Sequence, residues 1–299
     1  MASLVPTLHK HLERADGLLA AGRSKQARQA FEQLLQAAQD RADRGMEVLA
    51  RATLARMALQ LHDLDEARSL LASAGRALDP HHLPSHRRYR AALARLAVEE
   101  GPAATAREEL TRYLQWAEDE RQGEEVLDAS LLLAAQVSAI ERVTWLQRGI
   151  EQALALGATE RLGEAHMSLA AAWEAIDELA DAVEAYSRAH HWHLASGRPR
   201  DVVASAWAVG ATASQLEDWA RARDALREAL RGAEAADDCD DLLALVLADL
   251  ATVEEAAGDV VEARRLMLRA LKRGREQQLA TLWPERWATM ERQARALEL

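Results

Sequence analysis

The stretch Gly258-Asp259-Val260-Val261-Glu262-Ala263 carries the pattern that decides the fold of this chain. A short polar turn leads into an apolar stripe that begins at Ala263 and continues at Met267 and Ala270. Offsets of four and seven residues place these side chains on one face of an α-helix. Upstream, Ala251 is a second small residue on an apolar face. Small residues that face each other let two helices pack closely, so the stretch predicts the turn and second helix of an antiparallel pair.

The same pattern recurs along the chain. We call the residue that corresponds to Ala263 the anchor of each copy; the anchors are Ala27, Ala67, Ala106, Leu146, Ala182, Ala222 and Ala263. Successive anchors lie 40, 39, 40, 36, 40 and 41 residues apart, and the fourth copy is degenerate. The small residues upstream of the anchors are Ala15, Ala55, Ala94, Ala134, Ala170, Gly210 and Ala251. Self-similarity at one period predicts stacked repeats, each of which buries its apolar face against the next.

The pattern resembles that of tetratricopeptide repeats (TPRs), most clearly in Asp218-Trp219-Ala220-Arg221-Ala222 and at residues 258–263. The resemblance extends from about Thr7 to Leu299. It implies an all-α fold, a right-handed α-solenoid of seven TPR-like helix hairpins plus a C-terminal capping helix, with about fifteen helices. The period near 40 exceeds the usual 34 residues, which implies longer helices, and the proline that usually closes each repeat is mostly missing.

The resemblance implies a single domain over residues 1–299. Its repeats are expected near residues 7–40, 46–79, 85–121, 124–157, 161–196, 201–236 and 241–277. The capping helix is expected at residues 284–298, where Pro284 stands at a position that tolerates the loss of its N–H. The composition agrees with an all-α fold, because Pro (6), Gly (14) and the aromatic residues are scarce and the core must be filled by Ala and Leu, which are strong helix formers.

Charge and cysteine content exclude several classes of protein. The formal net charge of −11 at pH 7 disfavours nucleic acid as a partner, because a duplex binder needs a basic face that displaces counterions from phosphates. The single cysteine, Cys239, excludes an intramolecular disulfide and suits a reducing compartment. The sequence shows no signal peptide and no apolar run near the roughly 20 residues of a membrane span. We therefore expect a cytoplasmic protein that binds neither nucleic acid nor membrane.

Motifs of catalysis and of metal binding are missing from the sequence. It has no Gly-rich phosphate loop, no Gly-x-Ser-x-Gly and no His-Glu-x-x-His, so we expect neither an enzyme nor a cofactor. The segment His190-His191-Trp192-His193 resembles metal ligands, but no Cys, Asp or Glu at suitable spacing completes a site. The acidic segment at residues 237–241 lacks the Gly and Glu of a calcium loop and favours helix N-capping. Cys239 within it is expected to carry little thiolate.

The resemblance implies a binding surface, because the first helix of each TPR pair lines the concave face of the stack. The candidate partner-binding residues are Arg51, Arg56, Gln60, Arg88, Arg95, Glu99, Glu164, Met167, Glu174, Trp207, Ser214 and Gln215. Further inner positions are His9, Leu12, Asp16, Thr252 and Glu255. The candidates of repeats two and three are rich in arginine, whereas those of repeats five and seven carry glutamate.

Arginine pairs with carboxylate or phosphate through two parallel hydrogen bonds. We therefore hypothesise that repeats two and three hold an acidic segment or a C-terminal carboxylate of a protein or peptide partner. The alternative is that these arginines are solvated or pair with acids on neighbouring helices. Trp207 also has two interpretations: a hot-spot anchor for a partner, or ordinary core packing.

Two functions fit these patterns. The first is a non-catalytic scaffold or adaptor that binds a peptide segment or a partner protein in its concave groove. The second is a ligand- or peptide-sensing regulator that acts on a signalling or transcription partner. Regulators of that kind normally carry an additional N-terminal helical bundle or helix-turn-helix module, whereas the repeats here begin near residue 7, which favours the adaptor. The sequence names neither the partner nor the oligomeric state.

Overall fold

The computed structural model describes residues 5–79 and 81–299, with the side chains of residues 8–79 and 81–299. These residues form sixteen α-helices and no strand. The helices are α1 Val5–Ala20, α2 Ser24–Asp40, α3 Arg44–Gln60, α4 Leu64–Ala77, α5 Leu83–Glu100, α6 Ala103–Asp119, α7 Gly123–Ala134, α8 Ala139–Ala155, α9 Leu162–Glu174, α10 Leu179–Ser196, α11 Pro199–Gln215, α12 Trp219–Ala235, α13 Asp240–Ala256, α14 Val260–Glu276, α15 Leu279–Leu282 and α16 Pro284–Ala296. The count exceeds the expected fifteen by the four-residue α15.

The helices belong to two compact units, Met1–Gln136 and Val137–Leu299. In the first unit, α1 packs on α2, α3 packs on α4, and α5 packs on α6; α7 is the last helix of this unit. In the second unit, α8 packs on α9, and the helix pairs are α9 with α10, α11 with α12, and α13 with α14. The helices α15 and α16 complete the second unit. The first helices of successive pairs are also in contact: α3 contacts α5, and α11 contacts α13. The prediction of an all-α stack of TPR-like hairpins is confirmed. The predicted fourth repeat, residues 124–157, contains the division between the two units.

The anchors explain why the helices pair. All seven anchors and all seven upstream small residues are buried. A Cβ built on Gly210 would lie 2.5 Å from Cγ of Leu226 and 3.1 Å from the carbonyl oxygen of the anchor Ala222. The two helices of this pair therefore approach too closely for any larger side chain at position 210. Small residues at these positions set the distance between paired helices.

The turn inside a pair has a recurring backbone conformation. Gly258 has φ of 86°, in the left-handed region that glycine enters at no steric cost, and the next residue, Asp259, caps α14 by accepting the N–H of Glu262 at 3.0 Å. The same turn before α12 has Glu217 at φ of 58°, followed by the capping Asp218. The Gly-Asp signature in the sequence thus encodes a chain reversal and the start of the second helix.

Ion pairs about one period apart connect the second helices of successive pairs. Arg221 on α12 donates to Glu184 on α10 at 2.9 Å, across 37 residues of sequence. Arg269 on α14 donates to Glu234 on α12 at 2.6 Å, across 35 residues. Such exposed pairs contribute little to stability, about 0–1 kcal/mol each, but they mark the register in which repeats stack. In the part of the chain described, no helix combines the length and the apolar character that crossing a membrane requires.

Candidate binding surface on the first helices

Half of the sequence-predicted candidates lie on two neighbouring first helices of the Met1–Gln136 unit. Arg51, Arg56 and Gln60 lie on α3, and Arg88, Arg95 and Glu99 lie on α5. The helix α3 contacts α5, and α5 contacts α7. We call the surface formed by α1, α3, α5 and α7 the N-terminal row.

Arg88 connects three helices of the N-terminal row. Its guanidinium donates to the carboxylate of Asp16 on α1 at 2.7 Å and to the hydroxyl of Thr53 on α3 at 2.8 Å. The Thr53 hydroxyl donates in turn to the carbonyl oxygen of Leu49 at 2.9 Å, and both residues are buried. The Arg88 side chain therefore extends across α3 and occupies the position that a ligand of that helix would take.

Arg95 and Arg51 are also paired within the protein. Arg95 donates to the carboxylate of Asp128 on α7 at 2.6 Å, and Asp128 also accepts the hydroxyl of Tyr113 at 3.3 Å. Burial, followed by the charge of Asp128, raises the pKa of Tyr113, so its hydroxyl stays protonated and remains a donor. Arg51 pairs with Glu47 one turn away at 2.7 Å. Arg51, Arg88 and Arg95 therefore fit the second hypothesis of the sequence analysis, in which the arginines pair with acids of the protein itself.

Arg56 differs from these arginines. It is exposed, and among the described residues its guanidinium makes neither a hydrogen bond nor an ion pair. Although it is open to solvent, Arg56 is surrounded by enough protein that lost hydration lowers its pKa, and the charges of Arg95 and Arg88 lower it further. The charges of Asp128 and Asp16 act in the opposite direction and more weakly. A cation that is partly desolvated, repelled by two neighbours and unpaired is a site of positive potential.

The remaining candidates of the N-terminal row lie near the C-terminal ends of its helices. Gln60 is the last residue of α3 and is exposed. Glu99, one residue before the end of α5, is exposed and lies 3.7 Å from Nδ1 of His62. Both side chains therefore lie about one turn beyond Arg56 or Arg95, at one end of the row.

In the Val137–Leu299 unit, Trp207 is part of a closed cluster. Its indole N–H donates to the carboxylate of Asp249 on α13 at 2.7 Å. Arg286 of α16 donates to both oxygens of the same carboxylate, at 2.8 and 2.7 Å, and its guanidinium carbon lies 5.7 Å from the centre of the Trp207 ring. The Trp207 side chain is half-buried against the apolar core of the unit. The geometry fits the core-packing interpretation of Trp207 better than that of a free anchor.

The glutamate candidates of the second unit also have internal partners. Glu174, the last residue of α9, accepts the hydroxyl of Tyr186 on α10 at 2.8 Å and that of Thr212 on α11 at 2.7 Å. Glu164 accepts two hydrogen bonds from Arg161, both 2.8 Å long. Glu174 therefore ties one pair of helices to the next, and these carboxylates do not form an open acidic surface.

The other candidates of this unit have lesser roles. Met167 is half-buried on α9, Ser214 is half-buried near the end of α11, and Gln215 is exposed beside it. Thr252 on α13 accepts a hydrogen bond from Gln293 of α16 at 3.0 Å. The capping helix α16 thus contributes Gln293 and Arg286 to α13, so it covers part of the surface that the resemblance assigned to binding.

Sequence reasoning missed the buried acids that hold these clusters together. Asp128, Asp249 and Glu254 stand inside the apolar runs of α7 and α13. Glu254 is 4% exposed in its side chain and accepts hydrogen bonds from Arg223 and Arg227 of α12. Burial raises the pKa of Asp249, whereas Arg286 and the Trp207 N–H act to lower it. The signal was available, because an acid inside an apolar run needs a buried partner.

A cleft opens within the Val137–Leu299 unit, between α10, α11 and α12. Its volume is about 710 Å³, and Ala206, Val209 and Ala225 form its apolar part. Its polar lining residues are Ser187, His190, Arg221, Asp224, Arg227, Glu228 and Arg231. Of these, Arg231 and Asp224 make no ion pair with another described residue. The volume lies within the range of about 300–1,000 Å³ that small-ligand pockets occupy.

The histidine cluster does not assemble a metal site. His190 has both ring nitrogens engaged, Nδ1 with the hydroxyl of Ser205 and Nε2 with Glu228, each at 3.1 Å. His193 is buried against Gly163 of α9, and burial lowers its pKa. Among the described residues no group of three His, Cys, Asp or Glu side chains is arranged to hold a metal ion.

Cys239 has the surroundings of an inert thiol. It is buried, and burial, followed by a hydrogen bond to Asp238, raises the pKa of its thiol to about 11. The neighbouring Asp241 is paired with Arg200 at 2.7 Å. Arg200 lies on α11 and Asp241 on α13, so the acidic segment joins two first helices.

No family model matches the sequence, and no curated protein matches it either. Solved structures do. A signal-transduction ATPase of the STAND class with a tetratricopeptide-repeat sensor, from Pyrococcus horikoshii, superposes with a TM-score of 0.77 at 16% identity over 95% of this chain; the chain spans 44% of the length of that protein. The apo form of RapI gives a TM-score of 0.69 at 11% identity, covering 96% of this chain and 85% of RapI.

A third match is the C-terminal part of a TPR repeat-containing protein from Cytophaga hutchinsonii. It gives a TM-score of 0.56 at 12% identity and covers 91% of this chain and 95% of that one. At such low identity a similarity of structure establishes the fold and leaves the function open. The helix pairs, the buried anchors and these superpositions agree that the chain has the TPR fold.

Proposed function

We propose that the chain is a non-catalytic binding scaffold that holds a peptide segment or a partner protein on the N-terminal row. A partner carboxylate, from an acidic side chain or from a C-terminus, pairs with Arg56. The observation that carries this proposal is the contrast between Arg56 and its neighbours. Arg88 and Arg95 each have an internal acid at 2.6–2.7 Å, and Arg56 has none.

The electrostatics of the row favour an anion at that position. Arg56 has its pKa lowered by lost hydration and by Arg95 and Arg88, so the unliganded protein bears an unfavourable interaction there. A carboxylate beside Arg56 removes the repulsion and supplies the missing hydrogen-bond acceptor. Hydrogen bonds to a charged group contribute about 1.5–3 kcal/mol, which corresponds to roughly tenfold to hundredfold in affinity.

The internal pairs limit the site to a single anion. The charges of Asp16 and Asp128 act on Arg56, and the two carboxylates are held by Arg88 and Arg95. A second carboxylate on the partner would meet these acids, because the guanidinium groups that neutralise them are already engaged. The row therefore fits a segment with one acidic group and neutral neighbours better than a polyacidic segment.

Binding of short synthetic peptides tests the proposal. Fluorescence anisotropy would compare a peptide with one free C-terminal carboxylate, its C-terminal amide, and a peptide with an internal acidic residue. We expect the wild-type protein to bind the acidic peptides and Arg56→Gln to weaken this binding by about tenfold. Folding should not suffer from that substitution, because removing the charge of Arg56 relieves its repulsion by Arg88 and Arg95.

The matched control is Arg23→Gln, which removes an exposed arginine that precedes α2 in the same unit. It should change the affinity for the acidic peptides by less than about twofold. Equal affinities of wild type and Arg56→Gln for every peptide, or equal losses in both variants, would contradict the assignment of Arg56.

A second function is favoured by the cleft between α10, α11 and α12. Its volume of about 710 Å³ suits a small ligand, so a sensor that responds to such a ligand is the alternative to the adaptor. The superposition on a repeat-containing sensor supports this alternative at the level of fold. A thermal-shift screen with small organic ions, run on wild type and on Arg231→Gln, separates the two functions: a shift of several degrees that Arg231→Gln removes supports the sensor.

A further inference from the structure

The outward surface of α14 combines exposed aliphatic side chains with cations. The helix buries the stripe Ala263, Leu266, Met267, Ala270 and Gly274 against its own unit. The opposite side exposes five residues at offsets of four, three, four and three. These residues, which we call the α14 outer stripe, are Val261, Arg265, Leu268, Lys272 and Arg275.

The α14 outer stripe is basic on an acidic protein. The helix Val260–Glu276 contains six Arg or Lys side chains and two Glu, an excess of four positive charges, whereas the whole chain carries −11. Four of the arginines are paired with acids: Arg265 with Glu262 on the same helix at 2.7 Å, and Arg264, Arg269 and Arg273 with acids outside the stripe. Lys272 and Arg275 form no ion pair with any other described residue. The two free cations lie one turn apart at the C-terminal end of the stripe.

The stripe also exposes aliphatic side chains between its charges. Val261 is 81% exposed and Leu268 is 55% exposed. One period earlier, at the 41-residue spacing that separates Ala222 from Ala263, α12 carries Ala220 and Arg227 at these two positions. The preceding second helix thus places a small and a charged residue where α14 exposes large apolar ones. Exposure of large aliphatic groups costs free energy in water, about 25 cal/mol per Å², unless a partner covers them.

We propose that the α14 outer stripe is a docking surface for an acidic amphipathic helix of a partner protein. Val261 and Leu268 are seven residues apart, which is about 10 Å along the axis, or two turns. A second helix laid along the stripe therefore presents its own apolar residues to them at the same heptad spacing. Glutamates that flank those apolar residues pair with Lys272 and Arg275, the two cations of the stripe that have no acid partner among the described residues. A phosphate backbone would satisfy the cations but would leave both aliphatic side chains in water.

This docking surface belongs to the Val137–Leu299 unit, whereas Arg56 belongs to the Met1–Gln136 unit, so it does not depend on the proposed role of Arg56. A scaffold with both surfaces binds two partners, one on its first helices in the Met1–Gln136 unit and one on α14. The two proposals can thus fail separately, since the variants that test one leave the other surface unchanged.

The test uses a synthetic amphipathic helical peptide with a leucine heptad stripe flanked by glutamates, and a second peptide with lysines in place of the glutamates. We expect the full-length protein to bind the glutamate peptide and not the lysine peptide. The double substitution Lys272→Glu/Arg275→Glu should weaken that binding by about tenfold or more. Leu268→Ser, which keeps the charge, should weaken it by about threefold.

Matched controls come from the other unit. Arg23→Glu/Lys25→Glu makes the same change in net charge at the start of α2, and Leu61→Ser removes a leucine that is 71% exposed. Both should leave the affinity within about twofold of wild type. The proposal is overturned if wild type does not bind the glutamate peptide, or if the two double variants lose affinity equally. It is also overturned if Lys272→Glu/Arg275→Glu abolishes binding to vesicles of phosphatidylcholine and phosphatidylserine while peptide binding is unchanged.

Discussion

His166 gives the fold a pH dependence whose size follows from the structure. The imidazole is 3% exposed on α9, and its Nδ1 is buried without a hydrogen-bond partner. Burial, followed by the positive charge of Arg188, lowers the pKa of His166 from its ordinary 6.5 to about 4. The folded protein therefore binds this proton less readily than the unfolded chain does, and acid favours unfolding.

The magnitude follows from the two pKa values. A tenfold change in a protonation constant corresponds to about 1.4 kcal/mol, so the full difference between 6.5 and about 4 amounts to roughly 3 kcal/mol. The contribution to stability is complete above pH 6.5 and is lost as the pH falls from 6.5 towards 4. Between pH 7.5 and pH 5, His166 should account for a loss of about 2 kcal/mol in the free energy of unfolding.

The perturbation that tests this reasoning is His166→Leu, which fills the site with an apolar side chain. Urea unfolding at pH 7.5, 6 and 5 can be followed by tryptophan fluorescence, since seven of the eight tryptophans lie in the Val137–Leu299 unit together with His166. The free energy of unfolding of wild type should fall by about 2 kcal/mol more over this range than that of the variant. Met167→Leu, which changes the packing next to His166 without removing a titrating group, should keep the wild-type pH dependence. If wild type and His166→Leu lose stability in parallel, the assignment of a neutral buried imidazole is wrong.

Two further predictions concern packing and buried charge. Gly210→Ala should lower the free energy of unfolding by about 1–3 kcal/mol, because the added Cβ would lie 2.5 Å from the side chain of Leu226. Gly17→Ala, whose added Cβ would have nothing within 4 Å, should raise the free energy of unfolding by up to about 1 kcal/mol. Urea unfolding of both variants measures the two changes. The double substitution Arg223→Ala/Arg227→Ala should lower the free energy of unfolding by about 3–5 kcal/mol, because it leaves the carboxylate of Glu254 buried without a partner. Adding Glu254→Leu in that background should recover most of the loss; thermal unfolding of wild type and the two variants checks both steps.

Much of the fold was predictable from small residues. Ala67 or Ala222 carries little information alone. Recurrence at a period near 40 predicts a helix face that is small in every repeat except the fourth, where the anchor is Leu146, and all seven anchors are buried. The turn before α14 was also predictable from the Gly-Asp pair, and the structure adds that Asp259 caps the helix. These features are local and periodic, so each copy confirms the others. The division of the chain into two compact units within the fourth repeat has no comparable periodic signal, although that copy is the degenerate one.

The candidate surface was less predictable, because its properties depend on pairs between distant residues. The sequence placed Arg56, Arg88 and Arg95 on neighbouring helices, but it did not show that Asp16 and Asp128 would neutralise the last two. These acids stand 72 and 33 residues from their arginines, on other helices. The three arginines cannot be distinguished from the sequence alone. The packing of α1, α3, α5 and α7 shows that Arg88 and Arg95 are paired and that Arg56 is not.

The pairing of most inner charges has a consequence for binding. Arg88 extends over α3 and is held at 2.7 Å by Asp16 of α1. Arg286 of α16 extends over α13 and is held at 2.7 Å by Asp249 of α13 itself. A partner that contacts α3 or α13 directly must first displace an arginine from its carboxylate. This costs free energy, and more at Asp249, whose side chain is 15% exposed, than at Asp16, whose side chain is 38% exposed. On the two proposals above, we expect binding at Arg56, which has no internal acid to displace, and on α14, where Leu268 is already exposed. We therefore expect the closed clusters to favour binding of an acidic partner at the two proposed surfaces, where no internal ion pair has to be broken.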